Sequence, residues 1–443
     1  MRSTHRIQPS LPIGQIPHKH ALQLRLIAQI LDGLPQLEEQ VLADLVPAQV
    51  RRDVGRDGLS AQQVLRVLVL YLLLKVDFEQ LEFHLADSLT YRAFCLLGVG
   101  DSPPKRACLQ HNISRIRPQT LQALHRILVE QAVQKGVESG HAVRIDTTPV
   151  AAPIRAPLDS ALLGDAVRVL CRLLKRAQKL VPMSMPSHHR RVGYRTKALR
   201  AEKLDDDERA ALYFDLLQDT KRYVEAAFLA ADFLDGVDDA KAFTLAIHLR
   251  AQAEAALCIV DQTERRVLHG QKVPATAKRV SMFEAHADML CKRNQICFGH
   301  KVCLAFGKTG VVLAADILRG NPADVTLATA TVEQIERNTG RIPHDVAMDL
   351  GFASRDNVGN LKALGVQRVA FPRGRGIDGY SACGSRRVQR KLYRFRAGAE
   401  GLISWLKRSL AMGKSRWRGE EGFFAYVWGV LVTASLQALA QAR

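Results

Sequence analysis

The chain has 443 residues, 47% of them apolar, which is enough to bury a sizeable core in two or three domains. Its eight cysteines form no Cys-x-x-Cys pair and no His/Cys zinc spacing, which excludes zinc modules and predicts buried, reduced thiols in a cytosolic protein. The net charge is +19, and residues 373–418 carry 13 Lys and Arg against two acids. Such clustering favours a polyanion, most simply nucleic acid, with a solvated basic surface as the alternative.

The first part of the chain is predicted to be a flexible arm followed by a helical domain. Residues 1–19 are polar with scattered prolines, and they lack the apolar segment of a signal peptide. Residues 20–138 follow the helical period. Within them QVLRVLVLYLLL, at 63–74, is apolar nearly all round and indicates a central helix, with Ser60 as its N-cap.

The hydrophobic period then changes from helix to strand. HAVRIDTTPV, at 141–150, alternates apolar and polar residues, and we expect this strand to end near Asp146 because Pro149 follows. A long helical region is predicted at about 159–257. It is interrupted by HHRRVGYRTK, at 188–197, which is predicted to be a basic, exposed connection.

The remainder alternates strands and helices. ICFGHKVCLAFGKTGVVLAADIL, at 296–318, indicates two strands joined by a turn at GKTG, which lacks the earlier glycine of a Walker phosphate loop. Further elements are predicted before the helix that carries Glu400: a helix at 324–340, a strand at 344–352, a short helix at 357–366 and a strand at 367–372. The apolar stretch 423–440 is barely long enough to cross a membrane, so a buried helix is predicted.

This order of elements predicts an α/β fold, in which helices cover a sheet. It matches a ribonuclease-H-like core with a large helical insertion between its first and second strands, preceded by an all-helical N-terminal domain. The core would cover residues 139–420, with the insertion at about 156–290. Residues 421–443 would form a C-terminal packing helix.

Three acids stand where they could hold metal ions. Asp146 and Asp349 end predicted strands, and ligands bind at the carboxyl ends of strands in α/β sheets. Glu400 is the only acid in the basic stretch 386–408. Mg²⁺ prefers oxygen ligands, and two such ions about 4 Å apart can drive phosphodiester displacement. Each acid alone also fits a structural role, as a cap, as a turn residue or as an ion-pair partner of Arg396.

The helix through Glu400 has one unusual polar face. At about 100° per residue, Tyr393, Arg396, Glu400 and Lys407 fall within roughly 60° of one another. A carboxylate there could bind metal while the neighbouring cations compensate the phosphates of a DNA strand. Gly398 weakens the helix just before Glu400.

These four residues match without a gap the Y-(2)-R-(3)-E-(6)-K signature of bacterial insertion-sequence DDE transposases, and the chain resembles the IS-four/IS-five-like type of that group. Further blocks resemble those of the group, in order over about residues 141–410: RIDTTPVAAPI, LDSALLGDAVRVL, VSMFEAHAD, FGHKV, GNPAD and MDLGFAS. LSAQQVLRVLVLYLLL and LADSLTYRAFCLLG resemble the helical N-terminal domain of many such enzymes.

The resemblance implies a catalytic, metal-binding triad of Asp146, Asp349 and Glu400 that holds Mg²⁺ or Mn²⁺, with two ions in each active site. It implies a homodimer that binds terminal inverted repeats through the N-terminal domain, cleaves double-stranded DNA at element ends and joins the 3′-OH to target DNA. The protein would be cytoplasmic and nucleoid-associated, without membrane contact. The implied DNA-binding residues are Tyr393, Arg396, Lys407, Arg390 and Arg394.

One feature departs from the better-known members, in which an insertion precedes the glutamate. Here the helical insertion lies between the first two strands, and the short segment from Asp349 to Glu400 leaves little room for another. A hairpin-forming mechanism that relies on that other insertion is therefore not implied.

Two alternative functions remain open at this level. A catalytically inactive or domesticated DNA-binding protein, such as a repressor, could keep the same fold, although the intact triad argues against it. A nuclease without transposition would lack a preference for terminal repeats over random DNA.

Overall fold

The computed structural model describes residues 4, 18–46, 58–98, 100–184, 186, 189–201, 203–292, 295–372 and 382–442. They divide into two compact units. The first consists of Met1–Ala151 and His300–Arg443, and the second of Ala152–Gly299. Most of the predicted arm at 1–19 lies outside the described residues.

The protein is a mixed α/β structure with a helical N-terminal region, as predicted. Its α-helices in chain order are α1 (Lys19–Asp32), α2 (Pro35–Leu45), α3 (Ala61–Leu74), α4 (Phe78–Asp87), α5 (Leu89–Phe94), α6 (Arg106–Ile113), α7 (Pro118–Gln134), α8 (Asp159–Ala177), α9 (His189–Ala201), α10 (Asp206–Asp235), α11 (Ala240–Thr263), α12 (Ala328–Thr339), α13 (Arg355–Ala363), α14 (Arg386–Ser409) and α15 (Glu420–Gln441). Its strands are β1 (Ala142–Ala151), β2 (Asp288–Lys292), β3 (Gln295–Phe306), β4 (Val312–Leu318), β5 (Asp345–Met348) and β6 (Arg368–Ala370).

Local signals account for the helices around the apolar helix α3. The Ser60 hydroxyl accepts a hydrogen bond from the Gln63 amide, while the Gln63 side chain accepts one from the Ser60 amide, which closes a capping box. Proline occupies the first turn of α2 and of α7, where its missing N–H is not needed. The C-terminal helix α15 packs against α1, α3 and α7, so the predicted buried helix lies among the N-terminal helices.

Two helical segments are long and apolar enough to span a membrane by composition alone, which is weak evidence for a span. In Glu420–Gln441, 89% of the apolar window is buried within the protein, as in a core helix. In Ala240–Leu268 the buried share is 44%.

A mixed sheet forms the centre of the first unit. β4 pairs antiparallel with β3, β3 neighbours β1, and β1, β5 and β6 pair in parallel. The predicted hairpin around GKTG is confirmed, with β3 and β4 as its two strands. Helix α12 packs against β4, while α14 packs across β1, β5 and β6. The sheet thus presents parallel strands to α14, the helix that carries Glu400.

The prediction that the first strand ends near Asp146 is wrong. Pairing of β1 with β5 covers Ala142–Ile145, but β1 itself continues to Ala151. β1 is also hydrogen-bonded to β3 in the sheet, and the last residue of the extension is held by a short bridge, in which the Ala151 amide donates to the Gly413 carbonyl and the Ala151 carbonyl accepts from the Ser415 amide. A distant segment therefore supplies backbone hydrogen bonds that the local sequence, with Pro149, does not indicate.

The second unit is built on the four helices α8–α11, which share one apolar core. The prediction of a connection at 188–197 is wrong, because His189–Ala201 forms helix α9, although most side chains of the described part of that segment are exposed as predicted. Its Val192 lies in that core, and Arg195 forms ion pairs with Asp215, at 2.6 Å, and with Asp219 of α10. Packing of a few apolar positions and charge pairing thus stabilise a helix whose composition is strongly basic. His188 lies outside the described residues.

Candidate active site

The parallel register of β1 and β5 brings two of the predicted acids together. Ile145 of β1 pairs with Met348 of β5, so the following residues, Asp146 and Asp349, leave the paired segment side by side. Each carboxylate accepts a hydrogen bond from the next backbone amide, at 2.7 Å for Asp146 and 2.8 Å for Asp349. These hydrogen bonds orient both side chains at the carboxyl end of the parallel β1–β5 pairing, and ligands bind at the carboxyl ends of strands in α/β sheets.

Helix α14 is anchored to the sheet through Arg144 of β1. The Arg144 guanidinium donates to the Phe395 carbonyl at 3.1 Å and lies 4.6 Å above the centre of the Phe395 ring. Burial lowers the pKa of Arg144 below its usual value. A Cβ at position 398 would lie 2.2 Å from Arg144 Nη1, so only glycine allows this approach. The packing of Arg144 thus explains why α14 contains a glycine, a residue of low helix propensity, at position 398.

The third predicted acid reaches the same place from α14, and one guanidinium connects all three. Arg396 Nη1 lies 2.9 Å from Asp349 Oδ1 and 4.0 Å from Asp146 Oδ2, while Nη2 lies 3.4 Å from Glu400 Oε1. The structure therefore brings Asp146, Asp349 and Glu400 around a single positive charge. With all three acids ionised, three negative charges face one positive charge, which leaves an excess of two.

Arg396 interacts with the carboxylates mainly through charge, and less through well-aligned hydrogen bonds. Its side chain is 11% exposed, yet its Nε and Nη1 atoms make no well-aligned hydrogen bond with the described residues. The carboxylates differ in access, since the side chain of Asp146 is 8% exposed, that of Asp349 35% and that of Glu400 60%. The cluster opens to solvent on the Glu400 side, where a large ligand could approach.

The three carboxylates do not form a closed cage in this arrangement. Among the described residues, the group of three whose possible ligand atoms all lie within 4.8 Å consists of His141, His344 and Asp345. This second group lies at the amino ends of β1 and β5, with the His141 and His344 rings stacked at 4.6 Å. It is thus at the opposite end of the strands from Asp146 and Asp349.

Sequence reasoning missed a polar network that supports Asp146. The Thr147 hydroxyl donates to Asp324 at 3.1 Å, and Lys301 donates to the other Asp324 oxygen at 2.9 Å. Asp324 closes the GNPAD block and Lys301 belongs to FGHKV, so the signal was present in both motifs. The network links the residue after Asp146 to two distant segments, which fixes this part of β1 in position.

The loop after β5 is held against the same network. A Cβ at Gly351 would lie 2.8 Å from Asp324 Oδ2, so the close approach requires glycine. The buried Asn357 side chain donates to the carbonyls of Val325 and Phe352, both at 2.8 Å. The conformation of the MDLGFAS segment after β5 therefore depends on its packing against the GNPAD segment.

The predicted DNA-binding residues occupy the accessible part of α14. Tyr393 is 48% exposed, Arg390 and Arg394 are exposed, and Lys407 is half-buried. Arg396 differs from them, because its head group faces the three carboxylates. Exposed cations beside a carboxylate cluster can bind the phosphates of a nucleic acid strand.

Comparison with known families finds two matching models. Residues 252–436 match the family described as Transposase DDE domain, and residues 13–115 match the family described as Transposase domain (DUF772). Comparisons with curated proteins and with solved structures gave no match.

Two of the three acids of the candidate site lie inside a matched segment. Asp349 and Glu400 lie inside the match to the Transposase DDE domain, whereas Asp146 lies between the two matches. The parallel register of β1 and β5 nevertheless brings Asp146 beside Asp349. Transposase DDE domains act on DNA with divalent metal ions on a ribonuclease-H-like core. Both matches are to transposase domains, and together they support a DDE transposase.

Proposed function

We propose that the protein is the DNA transposase of an insertion sequence of the IS-four/IS-five-like group. It binds the terminal inverted repeats, cleaves DNA at the element ends and joins the freed 3′-OH to target DNA. The observation that carries this proposal is the convergence of the Asp146, Asp349 and Glu400 carboxylates around Arg396. Carboxylates that converge from two neighbouring parallel strands and a helix provide the oxygen ligands for phosphodiester chemistry.

The residues present fit divalent cations. The donor set consists of hard carboxylate oxygens, and the excess of negative charge over Arg396 favours further positive charge. We propose Mg²⁺ or Mn²⁺, with two ions held by Asp146, Asp349 and Glu400. Such ions supply activation of the attacking oxygen and stabilisation of the leaving one.

The protein's own residues orient the DNA. With divalent cations held by the carboxylates, Arg396 would be free to contact a phosphate near the scissile bond. Tyr393 and Lys407 contact the DNA backbone from α14, and Arg390 and Arg394 extend this contact along the exposed face. Lys301, Asp324 and Thr147 hold the Asp146 segment of β1 in place for DNA binding.

We further propose the domain roles that the sequence predicts. Residues 139–420 form the catalytic domain with its helical insertion, and residues 20–138 bind the DNA ends. The enzyme works as a homodimer on paired ends, in the cytoplasm and on the nucleoid. Support for self-association comes from large exposed apolar side chains at the α10–α11 turn, which are Leu229, Phe233, Phe243 and Ile247.

The proposed function is tested with purified protein and a labelled duplex that carries one element end with its flanking DNA. We expect cleavage at the element boundary with Mg²⁺ or Mn²⁺, none with EDTA, and none on a duplex with a scrambled end. Cleavage of both duplexes would identify a nuclease without transposition. Binding of the end without cleavage under any divalent ion would favour the repressor-like alternative.

A separate prediction concerns Arg396 and metal affinity. Replacing Arg396 by alanine is expected to raise the affinity for Mn²⁺ in the absence of DNA about tenfold, because the guanidinium no longer competes for the three carboxylates. Binding is measured by calorimetry or by the electron paramagnetic resonance signal of free Mn²⁺. Arg394→Ala is the matched control, since Arg394 is exposed on the same helix and should leave Mn²⁺ binding unchanged. Equal or weaker Mn²⁺ binding by Arg396→Ala would contradict competition.

A further inference from the structure

The helical insertion contains an open groove between α8 and α9. Its volume is about 550 Å³, and none of the residues that line it is acidic. Six exposed basic side chains line it: Arg168, Arg172, Lys175, His189, Lys197 and Arg200. Nothing in the proposed chemistry uses this face, which belongs entirely to the second unit.

The groove follows from helix geometry. Arg168, Arg172 and Lys175 are spaced by four and three residues, so they form one stripe along α8. Lys197 and Arg200 repeat this spacing on α9. The two helices approach closely at one point, where a Cβ on Gly164 would lie 2.8 Å from the Thr196 hydroxyl oxygen. Two basic stripes therefore border one narrow channel.

The charges in this groove are largely uncompensated. Arg172, Lys175 and Lys197 form no ion pair with any residue that the structure describes, while Arg168 lies 3.2 Å from Asp165. The other side of α9 behaves differently, because Arg195 is paired with two acids of α10. The charges on one face of α9 are therefore neutralised by acids of α10, whereas those on the groove face are not. This difference indicates that the groove face binds an external anion.

The form of the groove favours a polymer over a small anion. Exposed cations are screened by salt within about 10 Å, so no single pair of them would hold a free phosphate firmly. A polyanion gains from all of them at once, because each neutralised phosphate releases counterions. Beside the groove, Tyr194 is 70% exposed and Arg190 and Arg191 are exposed on the same helix, which extends the surface.

We propose that the α8–α9 groove binds the phosphodiester backbone of DNA, as a contact surface separate from the carboxylate site. The proposal rests on the proposed function for the identity of the polyanion. It gives the insertion a role in holding the DNA substrate along its length. The contact reads backbone charge and not base sequence, because flexible Lys and Arg side chains line the groove.

The test measures binding of the full chain to a fluorescent duplex at several salt concentrations, without divalent ions. The groove variant carries Arg172→Ala, Lys175→Ala and Lys197→Ala. We expect it to bind about 10- to 100-fold more weakly near 0.1 M salt, with the slope of log K against log salt reduced in magnitude by about 2 to 3. The control variant carries Arg209→Ala, Lys241→Ala and Lys272→Ala, which removes the same charges from exposed positions outside the groove. The control is expected to leave the slope unchanged.

Equal losses in the groove and control variants would overturn the proposal, because only net charge would then matter. An unchanged slope in the groove variant would overturn it as well. Circular dichroism and thermal melting verify that both variants fold. Failure of the proposed function gives a different result, because it is seen in the separate cleavage assay with Mg²⁺ or Mn²⁺, in which the wild-type protein would bind the duplex without cleaving it.

Discussion

Replacing Asp349 by asparagine is expected to reduce Mg²⁺-dependent cleavage of an end-containing duplex about 10³-fold or more, a loss of about 4 kcal/mol in transition-state stabilisation. The amide is nearly isosteric but neutral, so the site loses one charged oxygen ligand while Arg396 still faces Asp146 and Glu400. The same loss is expected for Asp146→Asn and Glu400→Gln. Single-turnover cleavage rates measure it.

The matched control is Asp356→Asn, which removes an exposed acid in the first turn of α13, seven residues after Asp349. It is expected to cleave at the wild-type rate. DNA binding without divalent ions should persist in all three triad variants, because the carboxylates repel phosphates. A triad variant that cleaves within tenfold of wild type would remove that residue from the proposed site.

Replacing Glu138 by alanine is expected to lower the free energy of unfolding of the first unit by about 4 kcal/mol. The Glu138 side chain is buried and accepts hydrogen bonds from the amides of Ser139 and Gly140. It also accepts from the amide and the hydroxyl of Thr309, at 2.8 and 2.6 Å. Truncation removes the one acceptor that these four donors share, between the start of β1 and the β3–β4 turn, and leaves the buried Gly140 amide unpaired. Urea denaturation followed by tryptophan fluorescence measures the change.

Glu130→Ala is the control for this prediction. Glu130 lies on the exposed side of α7 and forms a surface ion pair with Arg126 at 3.1 Å, so its loss should cost less than about 0.5 kcal/mol. Glu138→Gln keeps an acceptor and is expected to fall between the two. If the free energy of unfolding of Glu138→Ala lies within about 1 kcal/mol of the wild-type value, which is the size of one lost surface interaction, the network does not stabilise the fold.

The elements that the sequence predicts well are those with a strong local period or a clear turn. Helix α3 has an all-round apolar sequence and a capping box, and the β3–β4 hairpin has strand patterns on both sides of GKTG. Helix α9 was missed because its few apolar positions, such as Val192, are hidden in a run of cations. Its stability comes from the core of the second unit and from acids of α10, which no local window contains.

The candidate site also contains residues that the sequence selects and contacts that it does not show. Spacing in the chain was enough to select Glu400 and Arg396, because a helix period and a motif lie within one segment. The support of Asp146 by Thr147, Asp324 and Lys301 was not visible, since these residues are joined only by side-chain contacts across distant segments.

By itself the sequence determined the class of fold, the apolar C-terminal helix, the basic character of α14 and the choice of three acids. These depend on composition and on periods of two or 3.6 residues, which are properties of short windows. Only the tertiary structure decided that β1 extends to Ala151, that Gly398 makes room for Arg144, and that Arg396 lies among all three carboxylates. Each of these depends on the distance between atoms far apart in the chain, and that distance is set by strand register and helix packing, which no short window encodes.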